Sequence, residues 1–168
     1  TFARIDLERL KANYCAIRAF VASATPDARP AVIAVVKANA YGHGLSAAAL
    51  TLEAAGATML ACADIEEGVQ LRDAGVQAQI LVFGALSTSD LGGVIDKRLT
   101  PTVSSPSAAT ALQAIAVQRG VRLRCHLKID TGMNRFGFRH DNLASTVSSV
   151  LASRNLAFDA VYTHFATA

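Results

Sequence analysis

A lysine directly after a short apolar run is the residue in this sequence best placed for chemistry. Lys37 follows Ala34-Val35-Val36 and shares an alternating face with Ile33 and Val35,. Burial beside such a run favours the neutral amine. A neutral lysine amine is a nucleophile that forms a Schiff base with an aldehyde, and it can also serve as a base. Spacing alone still favours an ordinary solvated lysine at a strand end.

Two glycines surround His43 a few residues later. Gly42 and Gly44 permit a tight turn into a helix that starts near Leu45, and free N–H groups at that helix start could hold an anion,. Local chemistry slightly favours an ordinary turn between a strand and a helix as the interpretation of these residues.

A second polar group follows the fifth β-branched run. Lys128 and Asp130 lie near the end of that run, and Arg135 comes in a loop between Gly132 and Gly137. An arginine held in such a loop presents a fixed fork of donors to a phenolic oxygen or a carboxylate. A solvated loop arginine is the simpler interpretation of the same residues.

His164 lies at the end of the sixth run, where a histidine more often serves a structural hydrogen bond than chemistry,. The four histidines have no short paired spacing with cysteine or carboxylate residues, and the sequence therefore predicts no metal site. These residues are His43, His126, His140 and His164.

The elements that position these residues recur at regular intervals. Six β-branched runs start roughly 20 to 37 residues apart, which is the length of a strand, a helix and two loops in a parallel sheet. The runs cover residues 31–36, 58–63, 79–83, 99–103, 121–129 and 158–165. Helices are predicted at 45–55, 65–74 and 105–119, and another begins after Asp6,.

A closed barrel and an open doubly wound sheet both fit this alternation. The sequence lacks the glycine patterns of dinucleotide and P-loop sites,. Along 121–129 apolar and charged residues alternate, which suits a strand whose charged face lines a barrel lumen. We therefore predict an α/β fold, a parallel (β/α)8-type TIM barrel with about six of its eight βα units in this chain. Residues 1–168 would form one incomplete domain.

The composition excludes several classes of protein. With 52% apolar residues, 17% charged residues and a net charge of +3, the chain suits one buried domain and shows no nucleic-acid-binding patch,. Cys15, Cys62 and Cys125 lack zinc-binding spacing, which favours a reducing compartment,. No apolar run approaches the roughly 20 residues of a membrane helix. We predict a soluble, cytoplasmic protein that binds neither nucleic acid nor membrane.

Three extended motifs together resemble the alanine racemase family. They are AVVKANAYGHG at 34–44, HLKIDTGMNRFGF at 126–138 and THFATA at 163–168, in the family's order. Members of that family are isomerases with an N-terminal barrel that use pyridoxal 5'-phosphate. The resemblance implies interconversion of L- and D-alanine by two-base transfer of the α-proton, which supplies D-alanine for peptidoglycan.

The resemblance also implies a role for each matching residue. Lys37 would carry the cofactor and move the α-proton on one face, and Tyr41 would contact the cofactor phosphate. Arg135 would bind the phenolic oxygen, and His164 would pack against the pyridine ring. Lys128 aligns with a lysine that is often carbamylated, and its carbamate would hold Arg135; a plain lysine paired with Asp130 is the alternative.

Further parts of the family's site lie outside this sequence. The second base is a tyrosine from the C-terminal β domain of a partner subunit, and that domain is absent here. The resemblance therefore implies a homodimer at full length and an inactive isolated chain. A racemase of another amino acid, or a non-catalytic fragment that binds pyridoxal phosphate, are the alternative functions.

Overall fold

The computed structural model describes residues 2–24, 27–28, 30–86 and 91–167. The chain forms two compact units, Thr1–Leu81 and Val82–Ala168. In each unit short strands alternate with helices, as the spacing of the β-branched runs predicts. Within the described residues no helix combines the length and the apolar character needed to cross a membrane.

The first unit carries the strand that leads to Lys37. Strand β1 is parallel to β2, with Ala34 opposite Leu60 and Val35 opposite Ala61. Parallel pairing brings the carboxyl ends of these strands to the same edge, where barrel active sites form. The elements of this unit are α1 (Leu7–Ala24), β1 (Ala34–Val35), α2 (Lys37–Tyr41), α3 (Leu45–Ala54), β2 (Met59–Cys62), α4 (Ile65–Asp73) and most of β3 (Gln79–Val82).

The second unit is built around a long buried strand. Its elements are α5 (Gly92–Asp96), β4 (Thr100–Val103), α6 (Pro106–Gln118), β5 (Leu123–Asp130), β6 (Phe138–Arg139), α7 (Leu143–Leu151) and β7 (Leu156–Tyr162). Strand β5 pairs in parallel with β4, β6 and β7. Every residue of β5 after Arg124 is buried, so both faces of the strand lie in the interior. The apolar and polar side chains that alternate in the sequence therefore point to two different buried faces,.

Side-chain caps set the helix starts that the sequence predicts. Asp6 Oδ1 accepts a hydrogen bond from Arg9 N at 3.1 Å at the start of α1. The Asp64 side chain caps α4, and Ser105 caps α6 with Pro106 in its first turn. These caps satisfy N–H groups that have no partner inside the helix.

Helices α5 and α7 and strand β6 escape prediction because their residues give weak local signals. Helix α5 contains Gly92 and Gly93, which disfavour a helix, and α7 is rich in serine, threonine and valine,. Strand β6 has only two residues, too few for an alternating pattern. The sixth predicted run is also too long at its end, because β7 stops at Tyr162.

Candidate active site

Lys37 stands at the end of β1 and is half-buried. Ile33 and Val35, which share its alternating face, are 43% and 42% exposed, whereas Val36 on the other face is 1% exposed. The Lys37 Nζ atom lies 6.0 Å from the centroid of the Tyr41 ring. The half-buried lysine thus lies on an accessible face of the unit, beside the buried Val36.

The segment labelled α2 is a left-handed turn after Lys37 and not a regular right-handed helix. Ala38, Asn39, Ala40 and Tyr41 all have φ between 52° and 55°. This region is disfavoured for residues with a Cβ atom, and a run of four is rare. The bond from Ala40 N to Val36 O at 2.7 Å starts the turn. The turn brings the Tyr41 ring back towards Lys37.

The side chain of Asn39 links this turn to the next helix. Its Oδ1 atom accepts a hydrogen bond from Leu45 N at 2.7 Å, and His43 Nδ1 lies 2.8 Å from Ala40 O. The first N–H group of α3 is therefore already bonded within the turn, as an ordinary turn between a strand and a helix would have it. Gly42 and Gly44 have φ values of 82° and 92°, as a tight turn requires,.

A small apolar cavity lies behind the turn. Its volume is about 140 Å³, and Leu10, Ala40, Tyr41 and Leu52 are among its lining residues. Pockets for cofactors and drug-sized ligands usually measure about 300 to 1,000 Å³. The cavity is too small for a cofactor, so the accessible face at Lys37 is the candidate site in this unit.

In the second unit, Lys128 is buried between two aromatic rings. Its Nζ atom lies 5.3 Å from the centroid of Phe136 and 5.1 Å from that of Tyr162. Tyr162 is anchored by a 2.9 Å hydrogen bond between its hydroxyl and Thr102 Oγ1. Burial lowers the pKa of Lys128, and the nearby Arg135 lowers it further against the opposing effect of Asp130,. A larger fraction of the Lys128 amine is therefore neutral than in an exposed lysine at the same pH,.

Asp130 organises the loop that carries Arg135. Its Oδ1 atom accepts hydrogen bonds from Gly132 N and Asn134 N, both at 3.0 Å. These bonds hold the pKa of the Asp130 carboxyl below its usual range,. Among the described residues Asp130 forms no ion pair with Lys128. The Asp130 carboxylate accepts hydrogen bonds from the loop backbone instead of pairing with Lys128, which weakens the alternative in which Asp130 is the partner of Lys128.

Arg135 is exposed, and its Cζ atom lies 5.5 Å from the centroid of the Phe136 ring. The loop closes at Gly137, which has φ of 127°. A Cβ atom there would lie 2.9 Å from Asp130 N and 3.2 Å from Lys128 Cγ. Only glycine fits this close return of the loop over the end of β5.

His164 lies two residues beyond the end of β7 and is exposed. The adjacent Thr163 bonds Thr131 through their hydroxyl groups at 2.7 Å, which joins this segment to the start of the Arg135 loop. The structure thus places Lys37 beside Tyr41 in one unit and Lys128 near Arg135 in the other. The sequence does not predict that Phe136 and Tyr162 pack around Lys128, or that Thr102 bonds Tyr162.

The depressed pKa of Asp130 predicts a pH-dependent contribution to stability. A carboxyl whose pKa is lower in the folded state than in the unfolded state stabilises the fold. This stabilisation is fully present above the usual pKa near 3.8 and is lost as the pH falls through the pKa of the folded state,. In urea unfolding, Asp130→Asn should destabilise the protein most above pH 4 and progressively less below it. The exposed Asp27→Asn is the control. A difference from wild type that stays constant between pH 3 and 7 would contradict this role.

Comparison with known proteins places the chain in a family. Residues 5–168 match the family model for "Alanine racemase, N-terminal domain". The chain is 40% identical over 168 residues to an alanine racemase of Desulforamulus reducens and 38% identical over 169 residues to one of Methanococcus maripaludis. These alignments cover 99% of this chain but only 44% of each relative, so the chain spans less than half of their length.

Solved structures give the same result. The alanine racemase from D-cycloserine-producing Streptomyces lavendulae superimposes with a TM-score of 0.88 at 34% identity over 97% of this chain and 42% of that one. The alanine racemase from Bartonella henselae, solved with covalently bound pyridoxal phosphate, superimposes with a TM-score of 0.82 at 25% identity. The match covers 97% of this chain and 46% of that one.

The repeated βα units and the polar side chains beyond the strand ends define a parallel α/β barrel protein, which confirms the predicted (β/α)8-type fold,. The chain belongs to the alanine racemase family.

Proposed function

We propose that the native protein containing this chain is a pyridoxal-phosphate-dependent alanine racemase that interconverts L- and D-alanine. The observation that carries the proposal is Lys37, half-buried at a strand end and held near Tyr41 by a left-handed turn. Family membership supports it, and so does the Bartonella henselae relative with its covalently bound cofactor.

The residues present fit pyridoxal phosphate by their chemistry. Lys37 offers an amine to the aldehyde, and the 59% exposed Tyr41 offers a hydroxyl group to the phosphate. Arg135 offers a guanidinium fork to the phenolic oxygen, and the exposed His164 offers a flat ring to the pyridine,. When bound, the cofactor draws away the negative charge that develops at the substrate Cα.

The chain's own residues would then bind, orient and transfer a proton. Lys37 Nζ would remove or return the α-proton on one face of the substrate. Tyr41 would hold the cofactor phosphate, Arg135 would bind its phenolic oxygen, and His164 would pack against its pyridine ring. Inversion of the carbon centre needs a second base on the opposite face. Tyr14, Tyr41 and Tyr162 do not match the family's motif for that base.

We also propose that residues 1–168 form one barrel domain of a longer chain, with the second base supplied by a partner subunit. The native protein would be a homodimer in the cytoplasm that supplies D-alanine for peptidoglycan, and the isolated chain would be inactive. The coverage of 44% of each relative's length supports a longer chain. Sedimentation of the native protein at the mass of a monomer, with full activity, would contradict the dimer.

The substrate is tested by chiral chromatography of the native protein with pyridoxal phosphate and each of L-alanine, L-serine, L-lysine and L-arginine. We expect the highest kcat/KM with alanine. A higher value with a basic amino acid would support the alternative racemase. Binding of the cofactor without any racemisation would support the non-catalytic alternative.

We further propose that Lys128 carries a carbamate that holds Arg135. Its lowered pKa, caused chiefly by burial, increases the neutral fraction of the amine that can add carbon dioxide,. In ¹³C-bicarbonate the native protein should give a ¹³C carbamate signal that Lys128→Ala removes and the exposed Lys11→Ala keeps. Absence of the signal at alkaline pH, or its persistence in Lys128→Ala, would contradict the modification.

A further inference from the structure

Glu67 makes an unusual set of contacts at the start of α4. It occupies the third helical position after the cap Asp64, whose Oδ1 atom accepts a hydrogen bond from Glu67 N at 2.8 Å. A glutamate at this position commonly returns its side chain to the N–H group of the cap residue. Here its Oε2 atom accepts from Ala63 N at 2.9 Å, and its Oε1 atom accepts from Asn39 N at 3.2 Å.

One carboxylate therefore joins two elements of the first unit. Ala63 lies between β2 and α4, whereas Asn39 lies in the left-handed turn two residues after Lys37. Each carboxylate oxygen receives one backbone N–H group, and hydrogen bonds to an ionised acceptor are stronger than neutral ones. Glu67 thus ties the turn to a strand–helix junction that the Asp64 cap already holds rigid.

The turn depends on bonds of this kind. The left-handed conformation is strained for a residue other than glycine, so four such residues in succession persist only where their surroundings hold them. Bonds within the turn include Ala40 N to Val36 O and Gly44 N to Asn39 O. The bond from Asn39 N to Glu67 comes from outside the segment and fixes its position as well as its shape.

We propose that Glu67 is a positioning residue, whose carboxylate fixes the left-handed turn and thereby the orientation of Lys37 and Tyr41. Its catalytic consequence rests on the proposed function, whereas its effect on the turn does not. Removing the carboxylate would let the turn sample other conformations, and the Lys37 amine would lose its alignment. Glu66 carries the same charge on the same helix but is exposed, which makes it a matched control.

The effect on the turn is tested by hydrogen–deuterium exchange of the native protein. We expect the Asn39 amide to exchange roughly tenfold faster in Glu67→Ala than in wild type, because its acceptor is gone. Glu67→Gln keeps one carbonyl oxygen and should give a smaller increase. Glu66→Ala should leave the rate unchanged. Unchanged exchange at Asn39 in both Glu67 variants would overturn the proposal.

The effect on the active site is tested in the same variants with pyridoxal phosphate present. Glu67→Ala should lower kcat for alanine, with little change in KM. It should also lower the rate at which borohydride traps the cofactor on Lys37. Glu67→Gln should restore part of both. Faster exchange at Asn39 with unchanged kcat and unchanged trapping would overturn the positioning role. If wild type lacks racemase activity, the proposed function fails, and the exchange and trapping measurements still decide the role of Glu67.

Discussion

Replacing Lys37 by alanine is expected to abolish covalent attachment of pyridoxal phosphate and to lower racemisation by more than about 10⁴-fold, because one side chain supplies both nucleophile and base. Borohydride reduction of the native protein followed by peptide mapping should place the label on the peptide that contains Lys37. The same treatment of Lys37→Ala should leave no labelled peptide.

A matched lysine variant separates this effect from the loss of a positive charge. Lys11 is exposed on α1, and Lys11→Ala should retain the labelled peptide and the activity. A label on a lysine other than Lys37 in the wild-type protein would refute the assignment.

Replacing Gly137 by alanine is expected to destabilise the protein by about 3 kcal/mol and to disorder the Arg135 loop. The new Cβ atom would lie 2.9 Å from Asp130 N, a backbone atom that cannot move without disturbing β5. The residue would also keep a φ of 127°, which residues with a Cβ atom rarely adopt,. Urea unfolding monitored by circular dichroism would measure the loss.

Gly132 is a control in the same loop. Its φ of 134° is similar, but no atom lies within 4 Å of an added Cβ atom. Gly132→Ala should therefore report the backbone strain alone, and Gly137→Ala should cost more. Equal costs for the two variants would show that the close approach to β5 is unimportant.

The parts of the fold that could be predicted are those whose signals are local. Asp64 and Ser105 mark helix starts because a cap needs only its own side chain and the next turn of backbone,. Strand β5 was recognised from its alternating residues, and its burial on both faces fits a barrel wall,. Helix α7 gives no clear sequence signal because its serine, threonine and valine residues have low helix propensity,.

The candidate site was less predictable because its geometry depends on contacts between distant residues. The sequence singled out Lys37 and Arg135, but it did not reveal that Asn39 turns left-handed or that Glu67 bonds its backbone. Asn39 tolerates positive φ, yet nothing local requires its alanine neighbours to follow it. The aromatic rings around Lys128 likewise come from a loop and from β7, 34 residues along the chain.

The left-handed turn after Lys37 has a stereochemical consequence. Ala38 and Ala40 hold φ of 52°, a conformation that is strained for an L-residue and relaxed for its mirror image,. If the segment were assembled by chemical synthesis, D-alanine at either position would fit the backbone without penalty. Glycine would relieve the same strain but would gain freedom in the unfolded chain. Lys37, which we propose takes part in interconverting L- and D-alanine, is thus followed by two L-alanines whose backbone conformation is the one that D-residues favour,.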